Sequence, residues 1–397
     1  MRPFLVLDEA LSLILGAWDV VAERPSGPDA PRWASARGWS EFLLSLDDDA
    51  LHAAEAGIAD GLFLHPDTPP SLRELAERAR ALSAPFELEA DPAPSAARPR
   101  HVKPRKQTQL EAIAAIARDR FGDAERVVDF GAGHGHLTRL LFETLGASEA
   151  VGIDWDRARI RRAERIAGGP RFVHADAATD ERALRAGDLV VGLHACGGLG
   201  DALVTRALDA GAHVLAVGCC FQNTEARERR PCSRRGEAAG FVVPKPLLGL
   251  ANLSPRSFEG SADLRDKHRG RQHRHALRIL LEARGVKVEL GEEARGVPKE
   301  RVRHGLAEIA GFAFRARGLE APLESELEEA AARARVEHGR IARFALPRHM
   351  LARALELALI ADRACLLEEA GFEVEVRALF TPRASPRNLG IIARAPR

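Results

Sequence analysis

The chain has no tyrosine, and Phe and Trp together make up only 5% of its 397 residues. A surface that holds single-stranded nucleic acid by stacking bases on aromatic rings is therefore hard to assemble. Net charge is also nearly absent: 58 Lys and Arg against 57 Asp and Glu leave +1. No global field draws the chain to a polyanion or a membrane, so any such preference must be local. Long apolar runs are missing. The longest uncharged stretch, Ala210–Thr224, has 15 residues, short of the ~20 that a spanning helix needs. Leu11–Trp18 is apolar, but Asp8, Glu9 and Asp19 flank it, which argues against a signal peptide. The five cysteines, two of them adjacent, make a poor disulfide framework and suggest a reducing, cytoplasmic setting. The 46% of hydrophobic residues is ample for a buried core, and the length exceeds one ordinary domain.

The most informative segment is Arg126–Leu137, R-V-V-D-F-G-A-G-H-G-H-L. An apolar strand runs into Asp129 and then into Gly131, Gly133 and Gly135, with a helix-like segment behind. Such glycines let the backbone turn sharply and approach a nucleotide at a helix N-terminus. A nicotinamide fingerprint would need G-x-G-x-x-G, and here the third glycine comes one residue early. D-x-G-x-G-x-G instead resembles motif I of class I S-adenosylmethionine-dependent methyltransferases. Ala150–Asp156 reads as a second strand ending in Asp154, 25 residues beyond Asp129 and placed to accept hydrogen bonds from ribose hydroxyls. Trp155 can lie against the adenine face. Arg171–Asp176 reads as a third strand, and the resemblance implies that Asp176 contacts the adenine amino group. It extends the expected donor site to His136, Ala177 and His194.

Strands over 127–130, 150–154, 171–174, 188–194 and 213–219 alternate with helices, a rhythm that predicts a parallel, doubly wound α/β sheet. Leu359–Ala370 reads as a helix closed by Gly371, followed by strands over Phe372–Phe380 and Asn388–Ala395. The short return between the last two implies an antiparallel final strand, giving a seven-stranded, Rossmann-like class I methyltransferase sheet. Residues 1–90 read as helices over Leu5–Val21, Trp39–Leu46, Asp48–Ala56 and Ser71–Leu82, with Ser71 and Glu74 as a capping box. Pro92, Pro94, Pro99 and Pro104 mark a linker. About 150 residues separate strands five and six, where a crossover needs only about a dozen. They read as helices, including Ala276–Ala283, Lys299–Phe314, Glu324–Val336 and Pro347–Leu359. The expected domains are a helical 1–100, a methyltransferase core over 101–222, a helical cap over 223–355, and completion of the core over 356–397.

Further segments carry a second resemblance. They are Trp39…Leu46…Pro69-Pro70-Ser71-Leu72, Lys103-Pro104-Arg105-Lys106, G-L-H-A-C-G at 192–197, V-G-C-C at 217–220, Asp362-Arg363, and L-F-T-P-R-A-S-P-R-N at 379–388. Together with the glycine loop they resemble the methyltransferase-like family labelled "ribosomal RNA adenine dimethylase domain-containing". That implies an enzyme using S-adenosylmethionine and supplies no substrate. Adenine dimethylases carry Asn or Asp, two residues and an aromatic after strand four. This sequence has Leu193-His194-Ala195-Cys196-Gly197 there, so N6-adenine methylation is not expected.

Methyl transfer from a sulfonium is an in-line displacement in which the enzyme positions the nucleophile and, where needed, removes a proton. In open α/β sheets the ligand lies beyond the carboxyl ends of the strands. His194 and Cys196 after strand four, Cys219 and Cys220 after strand five, and Thr381–Arg387 after strand six fall on that rim. His194 is the general-base candidate because imidazole titrates near neutrality. It can equally tie down a neighbouring loop. Cys196 either packs in its glycine-rich turn or joins the chemistry. Cys219-Cys220 admits three readings: packing behind the donor, a metal or cluster site with Cys196 and Cys232, with or without His194, or covalent catalysis as in RNA cytosine-C5 methyltransferases. The spacing fits no familiar C-x-x-C pattern and adjacent cysteines rarely chelate together, so no metal is expected. Arg387 either contacts substrate or braces its loop. Cys365 reads as core.

The run Arg265–Arg278 holds six Lys and Arg and three His against one Asp. Arg265, Lys267, Arg269, Arg271 and Arg274 are therefore candidates for phosphate-backbone contact, with a solvated helix face as the plain alternative. The expected activity is methylation of a macromolecule, RNA ahead of a protein side chain such as one on a ribosomal protein. A non-catalytic donor-binding or RNA-binding scaffold is the reading from another class.

Overall fold

Val127, Val128, Val151, Ile153, Val190 and Val191 are β-branched and buried, as in strands covered on both faces. They lie in β1 (Arg126–Phe130), β2 (Glu149–Asp154) and β4 (Leu189–Cys196), which with β3 (Arg171–His174) and β5 (His213–Cys219) make five parallel strands. β6 (Glu373–Ala378) and β7 (Leu389–Arg394) come from the end of the chain. In the computed structural model all seven form one sheet in the order β3-β2-β1-β4-β5-β7-β6. β7 is antiparallel to both neighbours, with Val214 opposite Ala393 and Val376 opposite Ile391. β6 therefore ends on the same rim as β1–β5. This is the class I methyltransferase arrangement. The structure describes residues 1–56, 67–91, 102–165, 169–180, 184–253, 261–289, 291–298, 301 and 305–396.

Helices Pro104–Phe121 and His136–Leu145 place Leu110, Ile113, Phe121 and Leu140 in one apolar cluster with Val127, Val191, Leu215 and Ile392 of the sheet. Gly198–Ala210 packs on β4 and β5, and Ala352–Glu369 on β6 and β7, with Pro3–Gly16 along the latter helix. One register irregularity bears on the site. Leu193 pairs with Val217 and Ala195 with Gly218, so His194 is an extra, bulged residue at the end of β4. Bulges of this kind re-aim side chains next to active sites.

The chain divides into two compact units. One holds Met1–Trp18, Arg78–Ser257 and Leu351–Arg397, the other Asp19–Glu77 and Phe258–Met350. This differs from the expected boundaries: residues 19–77 group with 258–350, and 223–257 stay with the sheet. The reason is tertiary. Asp362 Oδ2 accepts from the Cys232 amide at 2.9 Å, and its Oδ1 accepts from the Ser233 amide and hydroxyl at 3.1 and 2.7 Å. The second unit is helical, and Leu277, Leu281, Ile309, Phe314, Ala330 and Ala334 form its apolar core.

Several helix limits move. The first expected helix breaks at Ala17 into Pro3–Gly16 and Trp18–Ala22. Ser71 lies inside helix Pro70–Ser83, and its hydroxyl accepts from the Trp39 indole at 2.9 Å instead of closing a capping box. Pro347 sits in the last turn of the helix Glu324–Met350, and the break comes at Leu351. The helix therefore runs through Pro347 and ends at Met350 rather than starting at Pro347. Most of the proline linker (92–101) and the helix start at Lys299 lie outside the described residues.

Candidate active site

Asp129, the penultimate residue of β1, is buried, and its Oδ2 accepts from the Thr138 hydroxyl at 2.7 Å. Thr138 belongs to the first turn of the helix after the loop, so this bond fixes where that helix starts. Burial lifts the Asp129 carboxyl to about 6 against the opposing pull of Thr138 and Lys106. The amides of Gly131 and Ala132 donate to the Ile153 carbonyl at 2.9 and 3.0 Å. Gly133 donates to Asp154 Oδ2 at 2.8 Å, and Asp156 to Asp154 Oδ1 at 2.8 Å. The glycines follow from these bonds. Gly135 has φ +73°, and a Cβ there would lie 2.4 Å from the Phe172 ring. A Cβ at Gly133 would meet nothing within 4 Å, so the loop's outer face is open to a ligand.

Each carboxylate oxygen of Asp154 has two lone pairs, so acceptor capacity remains beside the two backbone bonds. Trp155 next to it is 70% exposed, an apolar ring held beside the loop. Asp176 is exposed after β3, with Oδ1 accepting from the Ala178 amide at 2.9 Å. Ala177 is buried, and its carbonyl accepts from Arg206 at 2.6 Å. His136 is half-buried at the helix start, and burial lowers its imidazole below the ordinary range.

On the neighbouring strand end, His194 has φ +66°, a conformation that bulky residues adopt only when their surroundings impose it. Its Nε2 is 2.9 Å from Gln109 Oε1. Gln109 is buried, and its Nε2 donates to the Ala384 carbonyl at 2.7 Å. The amide orientation is thereby set, and His194 Nε2 must be the protonated nitrogen, which leaves the lone pair on Nδ1. Burial, with Lys106 and Arg387 adding to it, pushes His194 down to about 4. The imidazole is neutral at physiological pH and a weak base. Lys106 is itself lowered by burial, with Asp129 and Cys219 opposing. It thus lies in the field of both Asp129, under the glycine loop, and Cys219, on the thiol side of the rim.

Three thiols converge there. The Sγ atoms of Cys196, Cys219 and Cys220 lie within 4.8 Å of one another, with Cys196 and Cys219 2.9 Å apart. The hydrogen bond from Cys219, opposed by burial and supported by Cys220, Arg363 and Arg387, lowers the Cys196 thiol. Cys219 is raised by that same bond and by burial, and Cys220 by burial and the Cys196 charge. Arg387 donates to the Asn252 carbonyl at 3.1 Å, and Asn252 Oδ1 accepts from the Cys220 amide at 3.2 Å. Arg363 donates to Gly197 O at 2.8 Å and to Asp201 at 2.7 Å, bracing the turn after Cys196. Cys232 stands apart, with Arg229 at 3.3 Å and Asp201 at 3.6 Å, and Cys365 is buried in its helix.

The structure thus gathers Asp129, the glycines, Asp154 and Trp155 on one part of the rim, and His194, Cys196, Cys219, Cys220 and Arg387 on the adjoining part. The basic run belongs to the second unit and is not a continuous free stripe. Arg274 and Arg278 reach Glu293 at 2.7 and 3.7 Å, and Arg271 is 3.8 Å from Glu55, whereas Arg265 and Arg269 are exposed. The sequence reading missed Gln109 and Asn252. Asn252 is near no motif, and the one signal for Gln109, three residues past Lys106, was a glutamine among the buried residues of its helix.

Residues 105–227 match a family model described as a methyltransferase domain. A Thermoplasma acidophilum protein of known structure is similar at 22% identity over 28% of this chain and 61% of its own, with a TM-score of 0.24. The plantazolicin methyltransferase BpumL in complex with SAH is 16% identical over 45% of this chain and 61% of its own, TM-score 0.24. A putative RNA methyltransferase from Pyrococcus horikoshii is 21% identical over 35% and 71%, TM-score 0.25. The match thus spans under two thirds of the first two of these chains. Residues 105–227 thus carry a methyltransferase domain, and the sheet has the class I fold. Among the described residues no helix is long and apolar enough to cross a membrane.

Proposed function

We propose that this protein is an S-adenosylmethionine-dependent methyltransferase acting on a macromolecule, RNA ahead of a protein side chain. The observation that carries the reading is the glycine loop pinned between two buried acids, Gly133 by Asp154 and the following helix by Asp129. On this reading the outer face of the loop receives the donor together with Asp154, Trp155 and Asp176. When bound there, S-adenosylmethionine supplies an electrophilic methyl group for in-line displacement. Asp154 offers its remaining lone pairs to the ribose hydroxyls, Trp155 an apolar face to the adenine, and Asp176 an acceptor to the adenine amine. His194, neutral and locked with its lone pair on Nδ1, orients an acceptor N–H or O–H rather than stripping a proton from a weak acid. This agrees with the absence of an amine-gripping Asn or Asp after β4.

RNA is favoured by the exposed Arg265 and Arg269 and by the family resemblance; Lys267 completes that part of the run. The test is twofold. The protein is expected to bind S-adenosylmethionine or its demethylated product at micromolar Kd or tighter, about −8 kcal/mol or better. Asp154→Ala should weaken that by about 1.5–3 kcal/mol, the range for hydrogen bonds to charged groups. No heat of binding with the wild type would end the reading. Labelled donor, given with a lysate depleted of this enzyme, should put label into material sensitive to RNase. Label sensitive to protease instead would assign a protein acceptor.

A further inference from the structure

Beside the glycine loop lies a thiol cluster to which the proposed function assigns no role. We propose that Cys196, Cys219 and Cys220 form a thiolate site for one soft divalent cation of the zinc class. The argument is geometric. Zinc–thiolate bonds of about 2.3 Å in a tetrahedral array set the sulfurs about 3.8 Å apart; these three lie within 4.8 Å of one another, and the Cys196–Cys219 pair, at 2.9 Å, has to part to admit the cation. Consecutive side chains of an extended strand point to opposite faces, which is why adjacent cysteines seldom share a metal. Here Cys220 has φ +43°. That turn cancels the alternation, so Cys219 and Cys220 reach the same point.

The backbone around the cluster is held in place. Cys220 and His194 are the two non-glycine residues with positive φ among the described residues, and they flank the thiols from both strand ends. The bulge at His194 sets Cys196 directly opposite Cys219. The Gly197 amide donates to the Cys219 carbonyl at 3.2 Å and the Cys220 amide to Asn252. Gly197 is itself obligatory, since a Cβ there would lie 1.8 Å from the Asn223 carbonyl oxygen. Strain at two adjoining strand ends persists only where the surroundings over-determine it, and such places are functional. Soft thiolates select zinc-class cations over magnesium or calcium. Each thiol that binds releases its proton to solvent. Three protein ligands leave a fourth position open, the arrangement of reactive rather than closed structural sites. Cys196 and Cys220 are only half-buried, so water or an acceptor atom can take it.

The test uses the full chain, reduced and stripped with a chelator, and cobalt(II) or zinc(II) alone as probe. One equivalent of cobalt should produce a sulfur-to-metal charge-transfer band with tetrahedral ligand-field bands, bleached by one equivalent of zinc. Cys196→Ser, Cys219→Ser and Cys220→Ser should each weaken zinc binding by about tenfold or more, while Cys232→Ser and Cys365→Ser leave it unchanged. Should a variant fail to fold, thiol alkylation of the wild type still decides. Zinc should protect Cys196, Cys219 and Cys220 and leave Cys232 as reactive as before. Absence of the charge-transfer band, retained binding in Cys219→Ser, or an alkylation pattern indifferent to zinc would overturn the proposal. So would a Cys196–Cys219 disulfide forming in air in a protein that takes up no metal when reduced. None of these readouts depends on methyl transfer.

Discussion

The two units bury their ionisable groups in different ways. In the sheet unit Asp129 and Asp154 stand at strand ends and spend lone pairs on the backbone amides and hydroxyls of the loop they shape, Asp154 with Gly133 and Asp129 with Thr138. In the helical unit the buried groups are side chains facing one another. Glu55 bonds His268 Nε2, and His268 Nδ1 is 3.1 Å from His338 Nε2. His52 meets the His268 ring edge-on, and Arg271, His275 and His349 lie in the same field. Carboxylates of the first kind shape a loop, whereas a ladder of histidines, with His338 and His349 lowered by burial, joins helices and makes their packing a matter of pH.

The two arrangements predict opposite responses to pH. Burial, with His268 and Arg271 adding to it, pushes His338 down to about 3. A histidine lowered in the folded state contributes stability that is present above its unfolded value near 6.5 and is lost as pH falls towards 3. At about 1.4 kcal/mol per pKa unit this amounts to about 5 kcal/mol for His338. Burial lowers His349 in the same direction. Hydrogen exchange should show the helices Asp48–Ala56, Ser261–Ala283 and Glu324–Met350 losing protection between pH 6.5 and 3, and His338→Gln should blunt the loss. Equal acid sensitivity in wild type and variant would break the contrast.

Asp129 has the reverse sign. Its carboxyl is raised from 3.8 to about 6 by burial, so its contribution is complete below 3.8 and declines as pH rises through 6. Asp129→Asn, which cannot titrate, should gain about 3 kcal/mol relative to wild type between pH 4 and 7. Exchange protection of β1 at the two pH values measures this.

Within the sheet unit the comparison can be sharpened at His194. Gln109→Leu removes the acceptor that fixes the His194 tautomer and strands a buried N–H, a loss of about 1–3 kcal/mol. Methyl transfer should slow while donor affinity stays within a few-fold, and His194→Ala should slow it by about 10²-fold, the cost of a misplaced reacting group. Unchanged turnover in both would leave His194 a structural residue.

The smallest expected effect lies in the helical unit. Arg265→Ala with Arg269→Ala should flatten the salt dependence of RNA binding by about 0.7 for each phosphate no longer neutralised, equally for all sequences. Arg274→Ala should alter that slope less, because Arg274 already faces Glu293 at 2.7 Å. The reverse ranking would restore the whole run as a phosphate track.

The sheet and its loop were legible in the chain because they are local. Strand periodicity, the spacing of Gly131, Gly133 and Gly135, and acids one strand apart are set by backbone geometry over a few residues, so the residue types suffice to read them. The same holds for the antiparallel close, implied by the short return before Leu389. Tertiary structure alone decided what each side chain meets. The tautomer of His194 depends on Gln109, 85 residues earlier. Residues 223–257 join the sheet unit through Asp362, 129 residues beyond Ser233. Arg274 is spent on Glu293, which no charge count along a helix reveals. Cys219 and Cys220, poor partners by spacing, share one point because a single φ turned positive. Pattern along a chain reports which face a residue takes, while hydrogen bonds, charge pairs and strain are settled by neighbours that sequence distance does not order.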